Sequence, residues 1–214
     1  MPLEIDHVFC FVTPGDGAID RVLAAGWTVD EGIEHAGQGT RNRRLWLDDQ
    51  YVELVWLSSR ADAEANPLRL DRRADWRATG ACPIGIGLRG QLTDGERAEM
   101  WAYRPPYAPD ACIWIHRSNE DGPDQPFVFV MEAPPEVVAR FLPRNRAPAP
   151  ELLVHARPAA VREIRLTLAR PPQALLARVS PRVSWTPGAR PRIDVVVGDA
   201  PGALELTDVL ALVG

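Results

Sequence analysis

The sequence predicts an α+β fold built by repeating one β-α-β-β-β unit. Three observations carry that expectation. Residues 3–12 (LEIDHVFCFV) are a short apolar run, rich in β-branched and aromatic residues, that stops at the turn signal Thr13-Pro14-Gly15. A helix-length stretch and three further strand-like runs follow, all before residue 58. A similar order of elements returns from residue 82 and again from residue 161, and repetition at that spacing is a property of a fold rather than of a loop.

In the first unit, residues 16–25 (DGAIDRVLAA) bring Ile19, Val22 and Leu23 together at helical spacing, with Gly26 as the stop. Residues 27–34 return to strand character, and residues 35–40 (HAGQGT) form a glycine-bearing loop. Two strands at residues 41–47 (RNRRLWL) and 51–57 (YVELVWL) flank the turn Asp48-Asp49-Gln50. Residues 58–81 interleave Arg60, Arg69, Arg72, Arg73 and Arg77 with acids. They read either as solvated helix and loop or as arginines turned toward an anionic substrate.

The second unit has strands at residues 82–89 (CPIGIGLR), 111–117 (ACIWIHR) and 127–132 (FVFVME), and a short helix within residues 93–102. Its prolines keep residues 103–109 (YRPPYAP) extended. A proline- and arginine-rich connection with one helical turn at residues 136–141 leads to a third unit: a strand at residues 161–168 (VREIRLTL), a helix at 171–179, then strands at 182–185, 192–197 and 203–206 (ALEL). The expected division is 1–133 for the paired units, 134–160 for the connection and 161–214 for a partial third unit packed on the same domain. Setting VREIRLTL against IDHVFCFV puts Glu163 opposite His7, and ALEL puts Glu205 opposite Glu53.

The chain has 214 residues, 46% of them apolar and 25% charged, and a net charge of −5, so no general attraction to nucleic acid or acidic membranes is expected. All 24 basic residues are arginine, which excludes lysine Schiff-base or lysine general-base chemistry. Cys10, Cys82 and Cys112 are too widely spaced for a metal-binding pair and odd in number for a disulfide framework. Residues 1–13 carry Glu4 and Asp6 and no arginine, and no apolar run reaches the roughly 20 residues of a membrane span, so the expectation is a cytoplasmic protein.

A two-residue period puts Ile5, His7, Phe9 and Phe11 on one face of the first strand, and Tyr51, Glu53, Val55 and Leu57 on one face of the fourth. A carboxylate on an apolar strand needs a partner, a proton or a metal, so His7 and Glu53 are expected to face one cavity. Two roles suit His7: metal ligand or general base, or a cavity histidine hydrogen-bonded to Glu53 or Tyr51. Glu53 is either a base whose pKa its apolar strand raises or a carboxylate paired with Arg41 or Arg43. His35, Asn42 and Arg43 are candidates to hold substrate oxygens, against a solvated turn shaped by Gly37 and Gly39. GQGT lacks the Lys-Ser/Thr of a phosphate loop. His116 and His155 read as surface residues. Trp46, Trp56, Trp101 and Trp114 serve either the core or an aromatic wall.

IDHVFCFV, HAGQGTRNRRLWL and YVELVWL in this order resemble the first module of a glyoxalase-like domain of the vicinal-oxygen-chelate superfamily, and CPIGIGLR and QPFVFVME resemble the second. The resemblance implies paired βαβββ modules forming a curled mixed sheet around a cleft. It implies a divalent metal (Mn, Fe, Zn, Ni or Mg) held by His7, Glu53 and, near the end of the last second-module strand, Glu132. No ligand is available on the matching strand at residues 84–87. Glu53 or Glu132 would move the proton in a lyase, isomerase or dioxygenase acting on a small substrate with vicinal oxygens. The alternative is a metal-free binding or drug-sequestering protein. No organic cofactor is expected, the partner is a small molecule, and a homodimer is an option.

Overall fold

The computed structural model describes residues 3–47, 50–132, 159–198 and 202–214. Residues 134–158 of the predicted connection, with its helical turn and His155, lie outside this set. Eight strands form a mixed sheet: β1 (Glu4–Phe11), β2 (Glu34–His35), β3 (Thr40–Trp46), β4 (Tyr51–Leu57), β5 (Ile84–Arg89), β6 (Met100–Tyr103), β7 (Ile113–His116) and β8 (Phe127–Met131). Their order is β2-β3-β4-β1-β5-β8-β7-β6. β1 lies parallel to β4, and β5 parallel to β8, so each module closes its first strand on its last. The modules join where β1 runs antiparallel to β5. This is the paired βαβββ plan of the sequence reading.

Helix α1 (Ala18–Ala24) fills the first crossover. α2 (Arg60–Ala65), α3 (Leu70–Ala74) and α4 (Trp76–Thr79) link the modules, α5 (Asp94–Ala98) fills the second crossover, and α6 (Ser118–Asp121) follows β7. Two boundaries differ from expectation. The strand predicted over residues 27–34 shrinks to Glu34–His35, because Asp30 accepts the backbone N–H groups of Gly32 and Arg44, and Gly32 sits in left-handed geometry against Asn42. The helix predicted to run to residue 102 stops at Ala98: a Thr93–Glu96 capping box starts it, and Met100–Tyr103 is claimed by pairing with β7.

The C-terminal strands β9 (Val161–Leu168), β10 (Arg182–Pro187), β11 (Arg192–Val197), β12 (Ala203–Glu205) and β13 (Leu210–Val213) form a second sheet of order β10-β9-β11-β13-β12, and a 3₁₀ turn (Ala174–Arg178) stands where a helix was expected. This sheet repeats β4-β1-β5-β8-β7 in order and strand sense, as two shortened modules. Even the irregularity recurs. The β1/β5 register slips between Ile5 and His7, leaving Asp6 unpaired, and the β9/β11 register slips between Val197 and Val196, leaving Arg162 unpaired. Glu163 thus takes the place of His7. The register gives the Glu53 place to Ser184, not Glu205: Phe9 pairs with Glu53, and its counterpart Arg165 with Ser184. Glu205 is displaced because β13 follows β12 and takes the inner position.

The two sheets share a core. Val8, Cys10, Leu54, Ile86 and Val128 of the large sheet pack with Ile164, Leu166, Ile193 and Leu212 of the small one, and Val22 of α1 completes the layer. Ile5 belongs to this core rather than to the His7 face, because the bulge at Asp6 reverses the alternation. The opposite face gathers Phe9, Phe11, Val55, Ile115, Phe127 and Phe129, with Leu70 of α3 laid across them. Among the described residues no helix is long and apolar enough to cross a membrane.

Leu166 is 1% exposed between the sheets. Leu166→Ala is expected to cost about 2–5 kcal/mol in urea denaturation; a cost below about 1 kcal/mol would contradict a shared core.

Candidate functional site

The bulge decides what β1 presents. It puts Asp6 and His7, adjacent in sequence, in contact: His7 Nδ1 lies 2.7 Å from Asp6 Oδ2. Asp6 is fully buried and His7 is 4% exposed. A carboxylate only accepts, so Nδ1 carries the hydrogen and Nε2 is left for the cavity. Arg89 steadies the acid from β5, with Nη1 3.5 Å from Asp6 Oδ1 and Nη2 3.2 Å from Glu4 Oε2. The imidazole stacks on Tyr51 at 4.5 Å and meets the edge of Phe129 at 5.4 Å. It also lies over Gly87, where an added Cβ would fall 2.5 Å from its Cε1. Glycine on β5 therefore makes room for the ring.

Glu53 stands beside His7 from β4. Asn42 Nδ2 donates to Oε1 at 2.7 Å, while Oε2 lies 4.0 Å from His7 Nε2. That gap is too long for a hydrogen bond. Each group thus keeps one atom unsatisfied by the other. Burial lowers the His7 pKa, but Glu53 and Asp6 outweigh it and leave it raised. Burial raises that of Glu53, against the pull of His7, Arg44 and Asn42. Both shifts favour one proton held by the pair.

These groups occupy one end of a cleft of about 1160 Å³, counting its open mouth, between the two halves of the sheet and under α3. The other walls are apolar: Phe9, Phe127, Phe129, Ile113, Ile115 and Leu70. All three tyrosines of the sequence, Tyr51, Tyr103 and Tyr107, line it. Tyr107 packs at a tilt against His35, with ring centroids 4.7 Å apart, and His35 Nδ1 is 2.9 Å from Thr40 Oγ1. Burial, with the charges of His7 and Arg44, lowers the His35 pKa to about 4.

The candidate residues named from sequence fall into two groups. His7, Glu53 and His35 line the cleft, and Asn42 holds Glu53 from behind. Arg43 points away from it and pairs with Glu31 at 3.0 Å, because Leu45 on the same face of β3 turns into the inter-sheet core. Glu132 is also apart from the others, since Leu92 N donates to it at 2.8 Å and Arg97 approaches at 2.7 Å. The arginines of residues 58–81 do not line the cleft: Arg60 pairs with Asp75, Arg69 with Asp71 and Arg77 with Asp208, and Arg73 donates to the carbonyls of Cys82 and Gln125. Sequence reasoning missed Asp6, Arg89 and Tyr107. Only the tyrosine gave a signal, an aromatic among prolines in a segment with no core periodicity.

The resemblance implied a metal. The second module turns Gly85 and Gly87 of β5, and Phe127, Phe129 and Met131 of β8, toward the cleft. None of these offers an oxygen or nitrogen side-chain ligand, and the Met131 thioether is a soft donor ill-suited to Mg, Mn or Fe. Among the described residues no three His, Cys, Asp or Glu side chains converge. The Asp6–His7 contact is the support a ligating imidazole commonly has, but among the described residues no third donor converges on His7 and Glu53, so these residues do not fit a resident metal held by three protein ligands.

A curled sheet of paired βαβββ modules around a cleft is the architecture that the resemblance to the vicinal-oxygen-chelate superfamily implied. Residues 5–170 match the family model described as Glyoxalase-like domain, and the chain belongs to that family. A hypothetical protein from Staphylococcus aureus shares the fold over 99% of both chains at 10% identity, with a TM-score of 0.56. Methylmalonyl-CoA epimerase from Mycobacterium tuberculosis aligns over 64% of this chain and 91% of its own, at 17% identity and a TM-score of 0.41. No curated protein matches the chain.

His35 supplies a pH test. Its folded pKa of about 4 lies below the unfolded value of 6.5, so its contribution is intact above pH 6.5 and is lost as pH falls toward 4. Relative to His35→Gln, the protein should lose about 2 kcal/mol of stability between pH 7 and pH 5 in paired urea titrations. Parallel profiles would refute a neutral, buried His35.

Proposed function

We propose that the protein is a glyoxalase-like enzyme that moves a proton next to the carbonyl of a small, largely apolar substrate, using His7 and Glu53. The supporting observation is the buried line Asp6–His7···Glu53–Asn42, with its 4.0 Å gap facing an aromatic cavity. Four polar side chains in a row are costly to bury. A cavity that only stored an apolar molecule would gain nothing from them.

In this reading the substrate lies against Phe127, Phe129 and Ile115 with its carbonyl at the polar end. Glu53 Oε2 takes the proton from the adjacent carbon; the C–H bond breaks, an O–H bond forms, and the electron pair moves to the carbonyl oxygen. The His7 imidazolium faces that oxygen and donates to it, and Asp6 stabilises the charge on the ring. Asn42 keeps Glu53 oriented. Return of the proton to the same or another carbon gives epimerisation or isomerisation. The apolar half of the cleft favours a second reading, sequestration without chemistry.

The test uses 1-phenylpropan-2-one in deuterium oxide, with EDTA present, and reads deuterium at the α carbons by mass spectrometry. Exchange should exceed that of Glu53→Gln and His7→Asn by about 10²–10⁴-fold, the range of general acid–base catalysis. Saturable binding with equal exchange in all three proteins would leave sequestration.

A further inference from the structure

A chain of buried hydrogen bonds ends in the cleft at His35. Its anchor is Asn66, whose Oδ1 accepts from Leu68 N at 3.0 Å and whose Nδ2 donates to the Gly37 carbonyl at 3.0 Å. Those two backbone groups fix which way the amide faces. Nδ2 also donates to the Tyr103 hydroxyl at 2.9 Å, so the tyrosine turns its own hydrogen to Gln38 Oε1 at 3.4 Å. Gln38 Nε2 donates to Thr40 Oγ1 at 3.2 Å, which leaves the threonine hydrogen for His35 Nδ1 at 2.9 Å. Every link runs in one direction, and all five side chains are buried.

The sense of the chain fixes the His35 tautomer. Nδ1 accepts, so the ring hydrogen is on Nε2, the reverse of His7. With its pKa lowered to about 4, the ring is neutral at pH 7. Among the described residues Nε2 has no hydrogen-bond partner, yet it is not enclosed, so it opens on the cleft that His35 lines. A network that served only to close the fold would end on a protein acceptor. This one ends on a donor with nothing to donate to.

The strand register sets how far that donor is from the His7–Glu53 end. His35 pairs with Thr40, and Thr40 pairs with Leu57, four positions along β4 from Glu53, or about 13 Å of strand. A ligand whose carbonyl meets Glu53 therefore reaches His35 with an atom several bonds away.

We propose that His35 is a specificity-determining residue whose Nε2–H holds a second, uncharged acceptor oxygen of the substrate, several bonds from the carbonyl that meets His7 and Glu53. The substrate class is then an aryl or alkyl ketone with a remote ether, hydroxyl or carbonyl oxygen, rather than one whose two oxygens are adjacent. This rests on the reading above that the cleft takes a small ketone with its carbonyl at the His7 end.

The experiment is isothermal titration of the full chain at pH 7 with two pairs of ketones, each pair differing by an ether oxygen in place of a methylene. The longer pair is 5-methoxy-1-phenylpentan-2-one and 1-phenylheptan-2-one; the shorter is 1-methoxy-3-phenylpropan-2-one and 1-phenylpentan-2-one. His35→Phe keeps a ring against Tyr107 and removes the donor. In that variant the ether-to-methylene affinity ratio of the longer pair should fall about tenfold, the worth of one hydrogen bond, while that of the shorter pair stays within about twofold. In the wild type, ¹⁵N–¹H spectra should place the His35 hydrogen on Nε2 and show it shifted by the longer ether but not by its hydrocarbon partner, a comparison that does not depend on the variant's folding. A ratio unmoved by His35→Phe, equal effects on both pairs, a hydrogen on Nδ1, or no binding by any of the four would overturn the assignment. Any of these alongside intact exchange of 1-phenylpropan-2-one would remove the role of His35 and leave the proton-transfer reading standing. The tenfold loss without exchange would support the donor and remove the chemistry.

Discussion

The site depends on one backbone irregularity. Without the bulge at Asp6, a regular β1 would turn that carboxylate into the inter-sheet core beside Val8 and Ile86, where it would find no partner. With the bulge, Asp6 meets His7 and Arg89, and Ile5 takes the core position instead. Two contacts hold the distortion: Ile5 N donates to Ser180 O at 2.7 Å, and Gln50 Nε2 donates to Ile5 O at 3.0 Å. The first comes from the segment just before β10. The C-terminal sheet is therefore connected to the site as well as to the core.

The second consequence is asymmetry. Two modules of the same plan meet at β1 and β5, yet they furnish the cleft differently. The first supplies His7, Asn42 and Glu53, while the second supplies glycine where side chains could stand and phenylalanine where ligands could be. Gly85 and Gly87 give their space to Phe9 and His7, so the aromatic wall and the placement of the imidazole have one cause. The small sheet carries the plan further from chemistry: Glu163 and Ser184 occupy the places of His7 and Glu53 and bond each other at 2.7 Å on a solvent-facing surface.

Much of the fold was legible because it rests on short-range signals. Short apolar runs marked β1, β4, β5 and β8, period-two alternation gave the faces of β1 and β4, and the Thr13-Pro14-Gly15 turn marked the end of β1. The His7–Glu53 pair was legible because a carboxylate on an apolar strand has few satisfactory fates. The bulge was not. It is a register difference between strands some eighty positions apart, and the residues Ile5-Asp6-His7 carry no glycine to announce it. Arg43 and Glu132 failed as site residues for related reasons. The face of Arg43 is fixed by Leu45 entering the core, and Glu132 was drawn off by Arg97 and the backbone at Leu92, contacts that period and spacing do not encode.

The most direct test of this account is ¹⁵N NMR of the His7 ring across pH 5–9, in the wild type and in Asp6→Asn. A hydrogen retained on Nδ1, with a His7 pKa above 6.5 that falls in the variant, is the expected result. A hydrogen on Nε2 with titration at or below 6.5, unchanged by the substitution, would contradict the Asp6–His7–Glu53 arrangement.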